Sequence, residues 1–125
     1  MRALKIIVAD DDRDTVNMLA TLLHHEGHDV HRVYQGKDVL PMARLVRPDV
    51  IIMDIVVPGM SGYAVADEMR HSFTDAKRPV MIAISGMWQE RSDRRVAQQS
   101  GFDHYLMKPC EPGDIFALLA PLSAA

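Results

Sequence analysis

Three consecutive carboxylates, Asp10, Asp11 and Asp12, follow a short apolar run, and Asp54, Ser85 and Lys108 close or follow other such runs. These residue types suit phosphoryl chemistry. Carboxylates gathered in one place repel, and they stay ionised together only when cations compensate them. A lysine ammonium and a hard divalent ion are the natural compensators. Mg²⁺ takes one or two carboxylates and keeps several waters. On that basis Asp11 is expected to be a direct ligand and Asp10 a partner acting largely through water. Asp54 and the backbone carbonyl of Val56 would supply further oxygens. Asp54 would then be the nucleophile toward phosphorus, giving an aspartyl-phosphate. Lys108 would pair with the phosphoryl oxygens, and Ser85 would hydrogen-bond one of them.

Each residue also has a plainer use. An acidic run is commonly a solvated turn or a helix cap, and Asp12 or Asp14 fits the cap of a first helix. Asp54 could merely end a strand, and Ser85 could turn with Gly86. His24 and His28 stand four apart, but Gly27 falls between them and no third metal ligand follows. Arg91, Arg94 and Arg95 are offset by Glu90 and Asp93 and read as a solvated face, while Trp88 stands alone in a loop. What favours chemistry is the combination of Asp10, Asp11, Asp54, Ser85 and Lys108 on one scaffold.

That scaffold is legible in the apolar runs. Lys5 to Asp10, Val50 to Asp54 and Val80 to Ile84 are short and rich in β-branched residues, and Val30 to Val33 and His104 to Met107 are weaker strands. Continuous apolarity suggests strands covered on both faces, as in a parallel sheet. Helical spacing appears between them at Val16, Leu19, Ala20, Leu23, at Val39, Met42, Ala43, Val46, at Gly62, Val65, Ala66, Met69, and at Ile115, Leu118, Leu119, Leu122. Gly27 and Gly101 are placed to stop helices, and Pro41 belongs near a first turn or a kink. Gln89 to Ser100 is helical in composition but has only Val96 and Ala97 as an apolar stripe, so a loosely docked helix is expected there. The order is a βα alternation, an open α/β parallel sheet with right-handed crossovers and five helices. Ligands of such sheets bind beyond the carboxyl ends of the strands, which is where Asp10, Asp54, Ser85 and Lys108 fall.

Composition narrows the alternatives. A chain of 125 residues is expected to form one domain over 1–125. Its 48% hydrophobic and 25% charged residues argue against disorder. A net charge of −3 leaves no strong basic field for nucleic acid or an anionic membrane, so neither is expected as a partner. No apolar run approaches the roughly 18 residues that cross a bilayer. Cys110 is the single cysteine, which excludes an internal disulfide and a cysteine-based zinc cluster. A reducing cytoplasm is the expected compartment.

The motifs Ile7-Val8-Ala9-Asp10-Asp11-Asp12, Pro48-Asp49-Val50-Ile51-Ile52-Met53-Asp54, Val57-Pro58-Gly59-Met60-Ser61-Gly62, Ile82-Ala83-Ile84-Ser85-Gly86 and Gly101-Phe102-Asp103-His104-Tyr105-Leu106-Met107-Lys108-Pro109 come in this order along the chain. Together they resemble the receiver domain of two-component response regulators, from about Lys5 to Leu122. The resemblance implies the flavodoxin-like, doubly wound strand order 2-1-3-4-5. It also implies phosphoryl transfer onto Asp54 from a histidine kinase or a histidine phosphotransfer protein. Asp10 and Asp11 match the family's acidic pair, Ser85 its hydroxyl switch residue, Lys108 its lysine and Tyr105 its aromatic switch position. Lys108-Pro109 resembles the family's cis peptide. The implied mechanism is a population shift: Ser85 is drawn toward the phosphoryl group, Tyr105 turns inward, and the surface of the last two helices and fifth strand changes for a downstream protein partner or a dimer. Reversing a two-state equilibrium from about 1:99 to about 99:1 takes roughly 5.5 kcal/mol of differential interaction.

Two positions depart from the commonest pattern. Val56 and Met87 stand two residues beyond Asp54 and Ser85, where the family tunes hydrolysis, and neither side chain can orient a water. Slow self-dephosphorylation is therefore expected. The stretch from Ser85 to Gly101 is about one residue longer than is usual in the family, and Arg94 to Lys108 resembles receivers attached to large sensor hybrid kinases. A phosphohydrolase with an aspartyl-phosphate intermediate would need a second acid where Val56 stands. A binding module that had lost phosphorylation would not keep the full polar set. The expectation is a phosphoacceptor that modifies itself, not an enzyme.

Overall fold

A computed structural model describes residues 2–55, 60–74, 77–86 and 101–124 of the chain. Five strands, β1 (Lys5–Ala9), β2 (Asp29–Val33), β3 (Val50–Asp54), β4 (Val80–Ser85) and β5 (His104–Met107), form one sheet in the order β2-β1-β3-β4-β5. Every pairing is parallel. Among the described residues there are four α-helices: α1 (Arg13–His25), α2 (Val39–Val46), α3 (Gly62–Ser72) and α4 (Pro112–Ala124). A short 3₁₀ turn, Gly36–Asp38, leads into α2. The fifth helix expected over Gln89–Ser100 lies outside the described residues. No helix among the described residues is long and apolar enough to cross a membrane.

The continuous apolarity of the strands has a direct cause: alternate residues feed two cores. Ile7, Ile51, Met53 and Met81 pack with Val39, Ala43, Val65 and Met69 of α2 and α3 on one face. Ile6, Val8, Ile52 and Ile82 pack with Val16, Leu19, Leu23, Ile115 and Leu119 of α1 and α4 on the other. Burying one such Val, Leu or Ile side chain contributes about 1.5–3 kcal/mol, so no strand can slip register without exposing both cores. The helix faces follow the sequence spacing. Val16, Leu19, Ala20 and Leu23 are all buried, as are Gly62, Val65, Ala66 and Met69. Pro41 sits in the first turn of α2, where its missing N–H costs little. Gly27 and Gly101 adopt φ of 95° and 113°, in the left-handed region. Pro121 lies inside α4, within the span of the helical stripe from Ile115 to Leu122.

Two aspartates fasten the amino ends of the strands. Asp49 Oδ2 accepts the Lys5 N–H at 2.8 Å while its Oδ1 takes Arg2 Nη1 at 3.3 Å. Asp103 Oδ2 accepts the Met81 N–H at 2.8 Å. His28 is buried and structural: its Nδ1 accepts the Leu4 N–H at 3.1 Å. His24 is exposed at the end of α1, and neither histidine joins a metal-ligating group of three among the described residues.

The sheet order sets the functional edge. From β1 the chain moves one way to β2, then crosses back to β3 and continues to β4 and β5. α1 and α2 therefore leave opposite faces, and a crevice opens at the carboxyl ends of β1 and β3. α1 begins at that crevice. Asp12 is its cap, accepting the Asp14 N–H at 3.2 Å and the Thr15 hydroxyl at 2.7 Å. The Thr15 hydrogen bond holds the Asp12 carboxyl below its ordinary value of 3.8. A carboxyl with a lowered folded pKa contributes stability above the unfolded value and loses it as pH falls through the folded one. Asp12→Ala should therefore lower the thermal midpoint at pH 7, and the gap from the parent should close as pH falls below the ordinary carboxylate range. A gap that stays constant across that range, followed by circular dichroism melts, would contradict this cap.

Candidate functional site

Asp10 directly follows β1, Asp54 is the last residue of β3, Ser85 the last of β4, and Lys108 directly follows β5. Parallel register brings the four chain positions to one edge. The Lys108 ammonium donates to Asp10 Oδ2 at 2.9 Å and to Asp54 Oδ2 at 2.9 Å. Both carboxylates are largely shielded, with side chains 7% and 12% exposed, so the contacts are stronger than those of a surface pair. The Lys108 backbone is tied to the neighbouring strand by its N–H to Ser85 O at 2.9 Å. The Lys108–Pro109 peptide is cis, as the resemblance implied.

Electrostatics at the site are unbalanced. Burial pulls the Lys108 ammonium toward neutrality, but its hydrogen bonds to Asp10 and Asp54, reinforced by their charges, outweigh that and leave its pKa raised. Asp11 is exposed, and its carboxyl is raised by a hydrogen bond to Asp10, with desolvation and the Asp10 charge adding to it. One ammonium thus faces three carboxylates. Ligand oxygens of Asp10, Asp11 and Asp54 lie within 4.8 Å of one another. This donor set is all hard oxygen, and it fits a divalent cation of the Mg²⁺ or Ca²⁺ kind rather than a softer metal. A small cavity of about 20 Å³ is lined by Asp10, Asp54 and Lys108 together with apolar residues such as Val8, Ile52 and Ile84, room for about one water.

Other expected residues fall as follows. Ser85 is buried at 1% exposure. Tyr105 is half-buried on β5 and packs against the α2–α3 core. The carbonyl of Val56, the side chain of Met87, Trp88 and the arginines 91, 94 and 95 lie outside the described residues. Cys110 is half-buried and its thiol is pushed up by burial, the opposite of an activated nucleophile. His104 starts β5 and is exposed.

One site-forming residue escaped the sequence reading. In the sequence Gly62 reads as part of a helix face and as the end of the Val57 to Gly62 motif, without a role in positioning Asp54. Its N–H donates to Ile55 O at 2.7 Å, and a Cβ there would stand 2.7 Å from Ile55 Cα and 3.0 Å from Asp54 O. The start of α3 is thereby pressed against the end of β3, which fixes where Asp54 emerges. Ser61 caps the same helix through Ala64 N at 3.3 Å. The available signal was the Ser61-Gly62 pair, a helix-cap residue followed by a residue without a side chain.

Comparison with known proteins settles the family. A model of the response regulator receiver domain matches residues 6–120. The chain belongs to that family. It is a receiver domain of two-component, phosphorylation-dependent signalling. The DNA-binding response regulator MtrA of Mycobacterium tuberculosis is 32% identical over 113 residues, covering 90% of this chain and 47% of MtrA. The chain spans about half the length of the curated relatives it matches. The N-terminal domain of a Wolinella succinogenes protein superposes with a TM-score of 0.84 at 30% identity, covering 95% of this chain and 93% of that one. A Francisella response regulator receiver domain gives a TM-score of 0.87 at 24% identity over 97% of both chains, a likeness of fold.

The Gly62 contact gives a test. Gly62→Ala should destabilise the receiver by about 1–3 kcal/mol, the usual cost of overpacking, with a lowered urea midpoint. An unchanged midpoint would show that the α3–β3 approach is looser than described.

Proposed function

We propose that residues 1–125 act as one phosphoacceptor domain, with Asp54 taking a phosphoryl group from a phosphohistidine of a histidine kinase or histidine phosphotransfer protein. The observation that carries this reading is the Lys108 bridge, 2.9 Å to each of Asp10 and Asp54. It fixes the Asp54 carboxylate at the crevice, where an incoming group can reach its oxygen. A carboxylate oxygen of Asp54 attacks phosphorus, the P–N bond to the donor imidazole breaks, and the imidazole leaves with that electron pair and recovers its proton from solvent. Lys108 then exchanges a carboxylate contact for a phosphoryl oxygen, keeping its charge matched. Asp11, Asp10 and Asp54, with the Val56 carbonyl, would hold Mg²⁺; when bound, the ion supplies charge neutralisation for the phosphoryl oxygens. The domain is consumed and regenerated as a stoichiometric acceptor, so it is not an enzyme toward an external substrate.

Ser85 and Tyr105 are the proposed relay. Ser85 sits at the end of β4 beside the site, and Tyr105 sits across the β4–β5 pairing, opposite Ala83. A hydroxyl drawn to the phosphoryl group changes the space into which Tyr105 can turn. The readout surface is β5, α4 and the helix expected over 89–100, recognised by a downstream protein or a second receiver that prefers one state. The compartment is the cytoplasm, where the histidine-phosphorylated donor and the acceptor can meet.

The test is incubation of the full chain with acetyl phosphate and Mg²⁺. A gain of one phosphoryl mass is expected, lost with chelator and with Asp54→Asn, and strongly slowed by Lys108→Ala. Continued labelling of Asp54→Asn would overturn the reading. Since Val56 and Met87 cannot orient a hydrolytic water, the phosphorylated form should outlast minutes in purified protein. Decay within seconds would place a water-orienting group elsewhere.

A further inference from the structure

A second concave surface lies away from the acidic pocket, at the outer edge of the sheet. It is a groove of about 600 Å³ between α1, β2 and α2, whose lining includes Arg13, Arg32, Tyr34, Lys37, Met42 and Leu45. Three of these are cations, and among the described residues Asp38 is the one carboxylate in the lining. No carboxylate pairs with Arg13, Arg32 or Lys37 among the described residues. The groove is therefore positive on a chain whose net charge is −3.

Its cations are held in place. The Arg13 guanidinium lies over the Tyr34 ring at 4.2 Å from the centroid. Arg32 Nη1 donates to Asn17 Oδ1 at 3.0 Å, and Tyr34 Oη donates to the same oxygen at 3.2 Å. One side-chain amide thus orders both an arginine and the ring that supports another. Pre-ordered guanidiniums lose less entropy on meeting a carboxylate than free ones. The opposite wall is apolar and open to solvent: Leu45 is 79% exposed, one of the few large hydrophobic residues so placed among the described residues.

We propose that this groove docks an acidic amphipathic segment of a partner protein, its carboxylates on Arg13, Arg32 and Lys37 and an apolar side chain on Met42 and Leu45. Charge complementarity selects the acidic character, and the bare leucine wall selects an apolar residue beside it. Nucleic acid is disfavoured because the guanidinium of Arg13 covers one face of Tyr34, which a base would need for stacking. A small anion would leave Leu45 uncovered. The proposal is independent of phosphorylation at Asp54, because no groove residue belongs to the acidic pocket.

The experiment titrates the isotope-labelled full chain with a synthetic peptide carrying Glu and Leu at helical spacing, followed by NMR. Saturable shifts are expected at Arg13, Arg32, Lys37, Met42 and Leu45. Affinity should fall at least tenfold with Lys37→Glu, with Leu45→Ser, and on raising salt. A scrambled peptide of the same composition, inorganic phosphate, ATP and a single-stranded oligonucleotide should each bind more weakly. Melting curves identify any variant that fails to fold, and the remaining variant then decides. The proposal is overturned by no saturable binding, by shifts centred elsewhere, or by equal binding of the scrambled peptide or of any other anion. Self-association of the chain through this face, abolished by Leu45→Ser, would also overturn it.

Discussion

One ammonium between two shielded carboxylates organises the functional end of this receiver. Lys108 reaches Asp10 and Asp54 at 2.9 Å each, and those residues come from three strands that are separate in sequence. The bridge can form only if β1, β3 and β5 keep their parallel order and register. It also gives each shielded carboxylate a charged partner, which a buried carboxylate needs. The third carboxylate, Asp11, is not bridged by Lys108, and its pKa is raised first by its hydrogen bond to Asp10 and then by desolvation and the Asp10 charge. The three carboxylates gathered within reach of one another are a donor set that suits a hard divalent cation.

The hydrophobic architecture serves this arrangement. Two cores, one on each face, pin the central strands so that their last residues have little freedom. Asp49 and Asp103 fasten the opposite ends of the strands, far from the chemistry. Gly62 lets α3 close on the end of β3, and Asp12 starts α1 beside Asp10. Packing energy of the whole domain thus fixes a few oxygen and nitrogen atoms at one edge. β5 is an edge strand, paired with β4 among the described residues, so the strand that carries Tyr105 and leads into Lys108 has one strand neighbour to resist movement where a central strand has two.

Much of this was legible in the sequence because parallel sheets advertise themselves. The runs at Ile6 to Ala9, Val50 to Met53 and Met81 to Ile84 are apolar throughout, since both faces are covered. The polar residue ending each run marks the ligand edge. Helix stripes at Val16 and Val65 followed the same logic. Strand order was not readable from spacing, because order depends on crossovers between distant segments, and it came from family resemblance. Gly62 was missed because its role is a backbone approach to Ile55, which no periodicity encodes. The fastening roles of Asp103 and His28 were missed for a related reason: their partners are backbone N–H groups distant in sequence. Pro121 runs against local propensity, since inside α4 its missing N–H forgoes one bond of the helix ladder.

The convergence of these side chains on one acceptor atom is most directly tested by locating the phosphoryl group. Borohydride reduction of the phosphorylated chain converts an aspartyl-phosphate to homoserine, and peptide mass spectrometry then reads its position. The account predicts homoserine at position 54 and nowhere else. Homoserine at position 10 or 11, or a phosphoryl group stable to borohydride on a serine or histidine, would contradict it.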